Sequence, residues 1–167
     1  QRQMCIRDRN IAKNTVVRFQ ASQYIDAKGK FIAVCNLGVQ YHFQQTFPNH
    51  HPPGMSGRAN DMVRAWRNGK GHWVRIKGGS LKETLQEVME TVNAGLYVVA
   101  GWENPNKNES GHVVVILPGT GNYNKHWRVE MPPMMDTGVG RRGTHFYLDD
   151  GFGKSKIPNV EFYYYAN

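Results

Sequence analysis

Two side chains in this sequence are suited to nucleophilic chemistry and sit where it is favoured. Cys35 lies in "FIAVCNLGVQYHFQQTF", whose apolar positions Leu37, Val39, Phe43 and Phe47 follow helical spacing better than alternation. A helix is therefore expected from about Ala33 to Thr46, with the thiol in its first turn. There the unpaired amide N–H groups and the helix dipole favour a thiolate, and the same amides suit a developing oxyanion. His112 lies in "NESGHVVVILPG" at the start of an apolar run that reads as a strand. If helix and strand pack together, its imidazole supplies the base a thiol needs. Each residue alone has a plainer reading, Cys35 as a small buried hydrophobe and His112 as an ordinary strand residue.

The elements that must position this pair follow from periodicity. Three prolines and a glycine in "PNHHPPG" break the chain, and a second helix is expected from Ser56 to Arg67, with Ala59, Met62, Val63 and Trp66 inward. "NGKGHWVRIKGG" reads as a loop with a short strand. "SLKETLQEVMETVNAG" is the clearest helix: Ser80 and Glu83 suit a capping box, Leu81, Leu85, Val88, Met89 and Val92 make one stripe, and Gly95 stands where a C-terminal left-handed residue belongs. After Gly95 the period changes. "LYVVAGW", "GHVVVIL", "WRVEM", "THFYLD" and "VEFYYYA" are β-rich runs separated by Gly, Pro and Asn. The expectation is one α+β domain, with N-terminal helices packed on a C-terminal antiparallel sheet. Asn14 to Lys30 has a mixed pattern, with a turn at "DAKGK". "QRQMCIRDR", residues 1–9, shows neither hydrophobic periodicity nor the apolar core of a signal peptide and reads as a non-native stretch, leaving 10–167 as the catalytic domain. On that reading Cys5 is irrelevant and any export signal is missing.

With 167 residues there is room for one substantial core, and no apolar run approaches the length of a membrane span. The net charge of +8 favours acidic partners, whether nucleic acid, anionic lipid or bacterial wall polymer. Removing residues 1–9 takes away a net +2 and leaves the excess cationic. Two cysteines allow neither a disulfide framework nor a CxxC metal site.

"CN" at 35 and 36 and "SGHVVVI" at 110–116, a Cys-Asn pair opening a helix followed by a Gly-His pair opening an apolar strand, resemble the papain-like peptidoglycan hydrolases, namely the NlpC and CHAP groups and the related bacterial amidase effectors. The likeness in element order runs from about Asn14 onward. It implies a papain-like fold and a metal-independent, cofactor-free cysteine amidase or endopeptidase that cuts the peptidoglycan peptide stem through an acyl-enzyme. Cys35 would be the nucleophile, and His112 the base and later the acid for the leaving amine. It further implies a secreted or periplasmic protein of bacterial or phage origin, a monomer, with an immunity or delivery protein as an additional partner. In such enzymes a third polar residue on the strand after the histidine orients the imidazole. The candidates are Asp136 in "PPMMDTG" and Glu130 in "WRVEM", with Asp136 preferred because it ends a segment at a turn. Asp136 also has a plain reading as a turn residue bonding its own backbone. Asn36, Tyr24 and Trp102 are assigned to substrate binding, with Gln23 beside Tyr24 as a further polar donor; the plainer reading of Asn36 is structural, capping or orienting the helix start.

Other motifs carry less. "DTG" invites an aspartic protease reading, but that chemistry needs a second carboxylate and no second copy occurs. His50 and His51 read as solvated loop residues, and no HExxH or His-x-His pattern supports zinc. His42 lies two turns beyond Cys35, outside the reaction. Gly119 to Gly121 follow a strand without leading into a helix or a GKS/GKT sequence, so they read as a hairpin turn rather than a phosphate loop. Trp66, Trp73, Trp102, Trp127 and the terminal aromatics suit a groove or a core, and "GRR" at 140–142 with "GKSK" at 153–156 reads as a cationic rim. Together these features sustain a second hypothesis, a non-enzymatic basic module binding nucleic acid or wall polymer. A third is a Cys-His fold acting on protein by proteolysis, deamidation or transglutamination.

Overall fold

The computed structural model describes residues 2–138 and 142–167, with the backbone alone for residues 2–5. Its elements are α1 (Arg2–Phe19), α2 (Cys35–Thr46), α3 (Ala59–Arg67), β1 (Trp73–Ile76), α4 (Leu81–Asn93), β2 (Val98–Trp102), β3 (His112–Ile116), β4 (Asn122–Asn124), β5 (Val129–Met131), β6 (Pro133–Asp136), β7 (Gly143–Tyr147), α5 (Leu148–Gly151) and β8 (Glu161–Tyr165). Six strands form an antiparallel sheet in the order β1-β8-β2-β3-β6-β7, and β4 and β5 make a separate hairpin. The protein is thus α+β, and among the described residues no helix is long and apolar enough to cross a membrane.

The sheet is covered on both faces. On one, Val39 and Phe43 of α2, Met62, Val63 and Trp66 of α3, and Ala12 and Val16 of α1 pack against Val99, Val113, Val115 and Tyr163. On the other, Leu85, Val88 and Val92 of α4, Val129 and Met131 of the hairpin, and Leu148 of α5 meet Val98, Ala100, Val114, Ile116 and Phe162. Helix α4 covers the face opposite the one that α1, α2 and α3 cover. The reason is visible in β2 and β3, whose unbroken aliphatic runs put an apolar residue on each face in turn and need cover on both. Full burial of each such side chain contributes about 1.5–3 kcal/mol.

Local signals account for the helix boundaries. Ser80 Oγ accepts from the Glu83 amide at 3.1 Å, and the Glu83 carboxylate accepts from Gly79 N rather than Ser80 N. Gly95 has φ 96°, as its place after α4 requires. In α2 the stripe is incomplete: Val39 and Phe43 are buried, whereas Leu37, expected inward, is 40% exposed. Helix α1 extends through residues read as irregular. Arg9 donates to the Pro118 carbonyl and the Asp8 carbonyl meets His42 Nε2, so this segment packs on the rest of the chain. The Cys5 side chain lies outside the described residues.

Several aromatics and cations lie elsewhere than expected. Trp66 and Trp73 are core residues, 0% and 3% exposed, whose indole N–H groups donate to the carbonyls of Gly54 and Pro53 and so pin the proline-rich loop. The groove reading therefore fails for these two. Arg142, assigned to a cationic rim, is buried: its guanidinium donates to the carbonyls of Phe19 and Ile32 and covers the Phe31 ring. Gly140 and Arg141 of the same triplet lie outside the described residues. Gly119 and Gly121 connect β3 to the β4–β5 hairpin, which is itself not part of the main sheet.

Candidate active site

Cys35 is the first residue of α2, and Val34 at the N-cap position offers no side-chain cap to the helix start. The turn after β6 fixes its position. The Thr137 hydroxyl donates to the Val34 carbonyl at 3.1 Å, and Gly38 lies so close to the Thr137 side chain that a Cβ there has no room. The helix start and the "DTG" turn are thereby held together.

His112 is the first residue of β3, and its position depends on the glycine before it. A Cβ on Gly111 would overlap the Trp102 carbonyl and the Asn60 side chain. Asn60 in turn accepts from Asn104 N at 3.0 Å and donates to the Glu109 carbonyl at 2.9 Å, tying α3 to the loop that delivers the histidine. The buried Phe152 ring stands 5.0 Å from the imidazole and backs it.

Asp136 ends β6 and serves two donors. One carboxylate oxygen accepts from His112 Nε2 at 3.1 Å, and the other accepts from the Gly138 amide at 2.7 Å. Both sequence readings of this residue therefore hold at once: it closes its own turn with one oxygen and holds the imidazole with the other. Continuing the β3–β6 register beyond Val115↔Met135 sets Gly138 opposite His112, and a Cβ on Gly138 would lie 2.8 Å from His112 Cε1. Glu130 lies elsewhere, exposed on β5 opposite Tyr123 in the separate hairpin.

With Nε2 committed to Asp136, the other imidazole nitrogen is left for Cys35, which lines the same cleft. Burial, the largest single influence, disfavours a charged ring. The hydrogen bonds to Asp136 and Cys35, with the charges of both partners, outweigh it and raise His112 from its ordinary 6.5 to about 10. The ring lies between a sulfur and a carboxylate, both of which favour its charged form. Cys35 is 6% exposed and the His112 side chain 16%, and both line an open cleft of about 680 Å³ with Asn36, Leu37, Arg58 and Lys156.

The residues assigned to substrate binding fall in three places. Asn36 lines the Cys35 cleft and donates to the Gly57 carbonyl at 2.9 Å. Trp102 pairs with His112 across β2 and β3, but its ring lines a neighbouring cleft. Tyr24 is not at this site: it packs on Phe19, with ring centroids 4.9 Å apart, and lines a separate depression with Arg18 and Tyr41, while Gln23 is exposed beside it. Sequence reasoning missed Thr137, Gly138 and Phe152, of which only the "DTG" turn left a signal. It also left His50 in solvent, whereas Nδ1 of that ring bonds Tyr165 Oη at 2.8 Å. His42 is a satisfied core histidine, bonded to Tyr97 Oη at 3.2 Å. Among the described residues no three His, Cys, Asp or Glu side chains gather as metal ligands.

Neither a protein-family model nor a curated protein sequence matches this chain.

Proposed function

We propose that this protein is a papain-like cysteine amidase or endopeptidase that hydrolyses amide bonds of bacterial peptidoglycan. The observation that carries the reading is the grouping of Cys35, His112 and Asp136 at a helix start whose N-cap is Val34, open to a cleft. In the reaction, Cys35 Sγ as thiolate adds to the amide carbonyl carbon. The first-turn amides of α2 receive the oxyanion, which is what unpaired N–H groups at a helix start do for negative charge. The His112 imidazolium then gives its proton to the departing amine nitrogen, and collapse of the intermediate leaves a thioester. Neutral His112 next takes a proton from water as the oxygen attacks the thioester carbonyl, releasing the acid and restoring the thiolate–imidazolium pair. Asp136 holds the ring at the right tautomer throughout.

The choice of wall peptide as substrate rests on the resemblance of the "CN" and "SGHVVVI" segments and on the cationic excess of the chain. An enzyme with this substrate works outside the cytoplasm, in the periplasm or after secretion. The test is digestion of purified peptidoglycan by the parent and by Cys35→Ala, with soluble products identified by mass spectrometry. New fragments from the parent alone support the proposal and name the bond. No fragments from any wall chemotype, with the thiol also inert to alkylation, sink it.

A further inference from the structure

The Cys35 cleft is not the largest concavity of the molecule. Beyond Trp102 lies a second cleft of about 820 Å³, lined by Arg75, Lys77, Trp102, Lys107, Trp127 and Asn159 among others. Its size falls within the range of about 300–1,000 Å³ of small-ligand sites. The two clefts adjoin. Trp102 is the register partner of His112 on the neighbouring strand, a spacing of about 4.5–5.5 Å between Cα atoms. Lys156, which lines the Cys35 cleft, holds its ammonium 4.6 Å from the centre of the Trp102 ring.

The lining defines a chemistry. Trp102 and Trp127 are half-buried, anchored on the core beneath α4 while still lining the cleft. The Asn124 side chain fixes Trp127 by accepting from its amide at 3.0 Å. The arginines are spent on carboxylates: Arg67 on Glu103 at 2.7 Å and Glu161 at 2.5 Å, and Arg75 on Glu161 at 3.4 Å. Lys77 and Lys107 have no carboxylate partner among the described residues. Ser80, Asn104 and Asn159 add neutral hydrogen-bonding groups. Indole surfaces accept the flat C–H face of a pyranose ring while its hydroxyls stay free for such groups. Two unpaired lysines beside two carboxylates suit an occasional acidic substituent better than a continuous polyphosphate.

We propose that this second cleft is a subsite for the saccharide strand of the polymer, holding amino-sugar rings against Trp127 and Trp102 while the attached peptide enters the Cys35 cleft. The identity of the polymer rests on the peptidoglycan reading of the Cys35 site. The subsite orients a polymeric substrate, so a sugar-bearing muropeptide is cleaved more efficiently than the same stem peptide without sugar.

The test is titration of the full chain with a peptide-free oligomer of N-acetylglucosamine, followed by amide and indole NMR signals, beside cleavage of stem peptides with and without sugar. The expected result is movement confined to Lys77–Ser80, Trp102, Trp127 and their neighbours. Binding should be about tenfold weaker in Trp127→Ala and largely restored in Trp127→Phe. Lys107→Glu, at an exposed position, weakens binding of the acidic sugar-bearing muropeptide without a folding cost. Absence of any shift in the parent overturns the subsite, as does binding of an oligothymidylate in the cleft in place of the saccharide. Saccharide binding with no cleavage of any peptide would leave the subsite standing and remove the amidase reading instead.

Discussion

Replacing Asp136 by Asn puts the candidate triad under the sharpest strain. The parent carboxylate accepts from Gly138 N with one oxygen and from His112 Nε2 with the other. A carboxamide has only one oxygen. If it stays on the Gly138 amide, its NH₂ group faces Nε2, which must then accept, and the ring can only be neutral with its proton turned toward Cys35. The His112 midpoint should therefore fall from about 10 to below its ordinary 6.5. The stability effect has a definite sign. A histidine whose folded pKa is raised contributes stability that is fully present below about 6.5 and is lost as pH rises through about 10. Loss of a buried hydrogen bond to a charged group costs about 1.5–3 kcal/mol. Asp136→Asn should thus unfold about 1.5–3 kcal/mol more easily than the parent at pH 6, with the gap shrinking toward pH 10.5. Amide hydrolysis should fall about 10²–10⁴-fold, the usual range for loss of positioned acid-base catalysis. Histidine Cε1–H NMR titration reads the first effect, urea denaturation at the two pH values the second, and peptide turnover the third. A midpoint still near 10 in Asp136→Asn, with an equal stability gap at both pH values, would refute the coupling of Asp136 to His112.

Cys35→Ser should lower the His112 midpoint, since the hydrogen bond and charge of Cys35 both help to raise it; the same NMR titration checks this. Gly138→Ala places a methyl group 2.8 Å from His112 Cε1 and 2.9 Å from Asp136 Oδ1. It should cut turnover about 100-fold by displacing the ring, a loss set against the unfolding midpoint measured on the same variant. His42 acts in the opposite sense to His112. Burial, partly offset by its bond to the Asp8 carbonyl, lowers it to about 4, so it contributes stability above about 6.5 that drains away as pH falls through about 4. His42→Gln should flatten that acid limb in pH-dependent denaturation, at a cost of about 1–3 kcal/mol at pH 7 from the disturbed Tyr97 contact.

Cys35, His112 and Asp136 were legible in the sequence because each sits at an element boundary marked by local chemistry: a helix start, a Gly-His strand entry and a turn. Helix α4 was legible for the same reason, its stripe, cap and C-terminal glycine all agreeing. Helix α1 was not. Its inward positions Ala12, Thr15, Val16 and Phe19 do follow helical spacing, but one is a threonine, and Val17 beside them is 68% exposed. Tyr24 and Trp102 could not be placed by spacing, since one turn diverts Tyr24 to Phe19 and one strand register sets Trp102 beside His112. Burial of Arg142 was hidden too, because the carbonyls it satisfies belong to Phe19 and Ile32, more than a hundred positions away.

The hydrogen bond from Thr137 to Val34 spans 103 positions. During synthesis, the thiol of Cys35 emerges long before the segment that holds the imidazole in place. Loop closure over such a separation comes late in folding, after local helices have formed. A nascent or partly folded chain therefore holds Cys35 apart from His112 and Asp136, and the three side chains come together only when the first and last thirds of the molecule have met. Under the proposed amidase reading, the nucleophile is armed only by that closure.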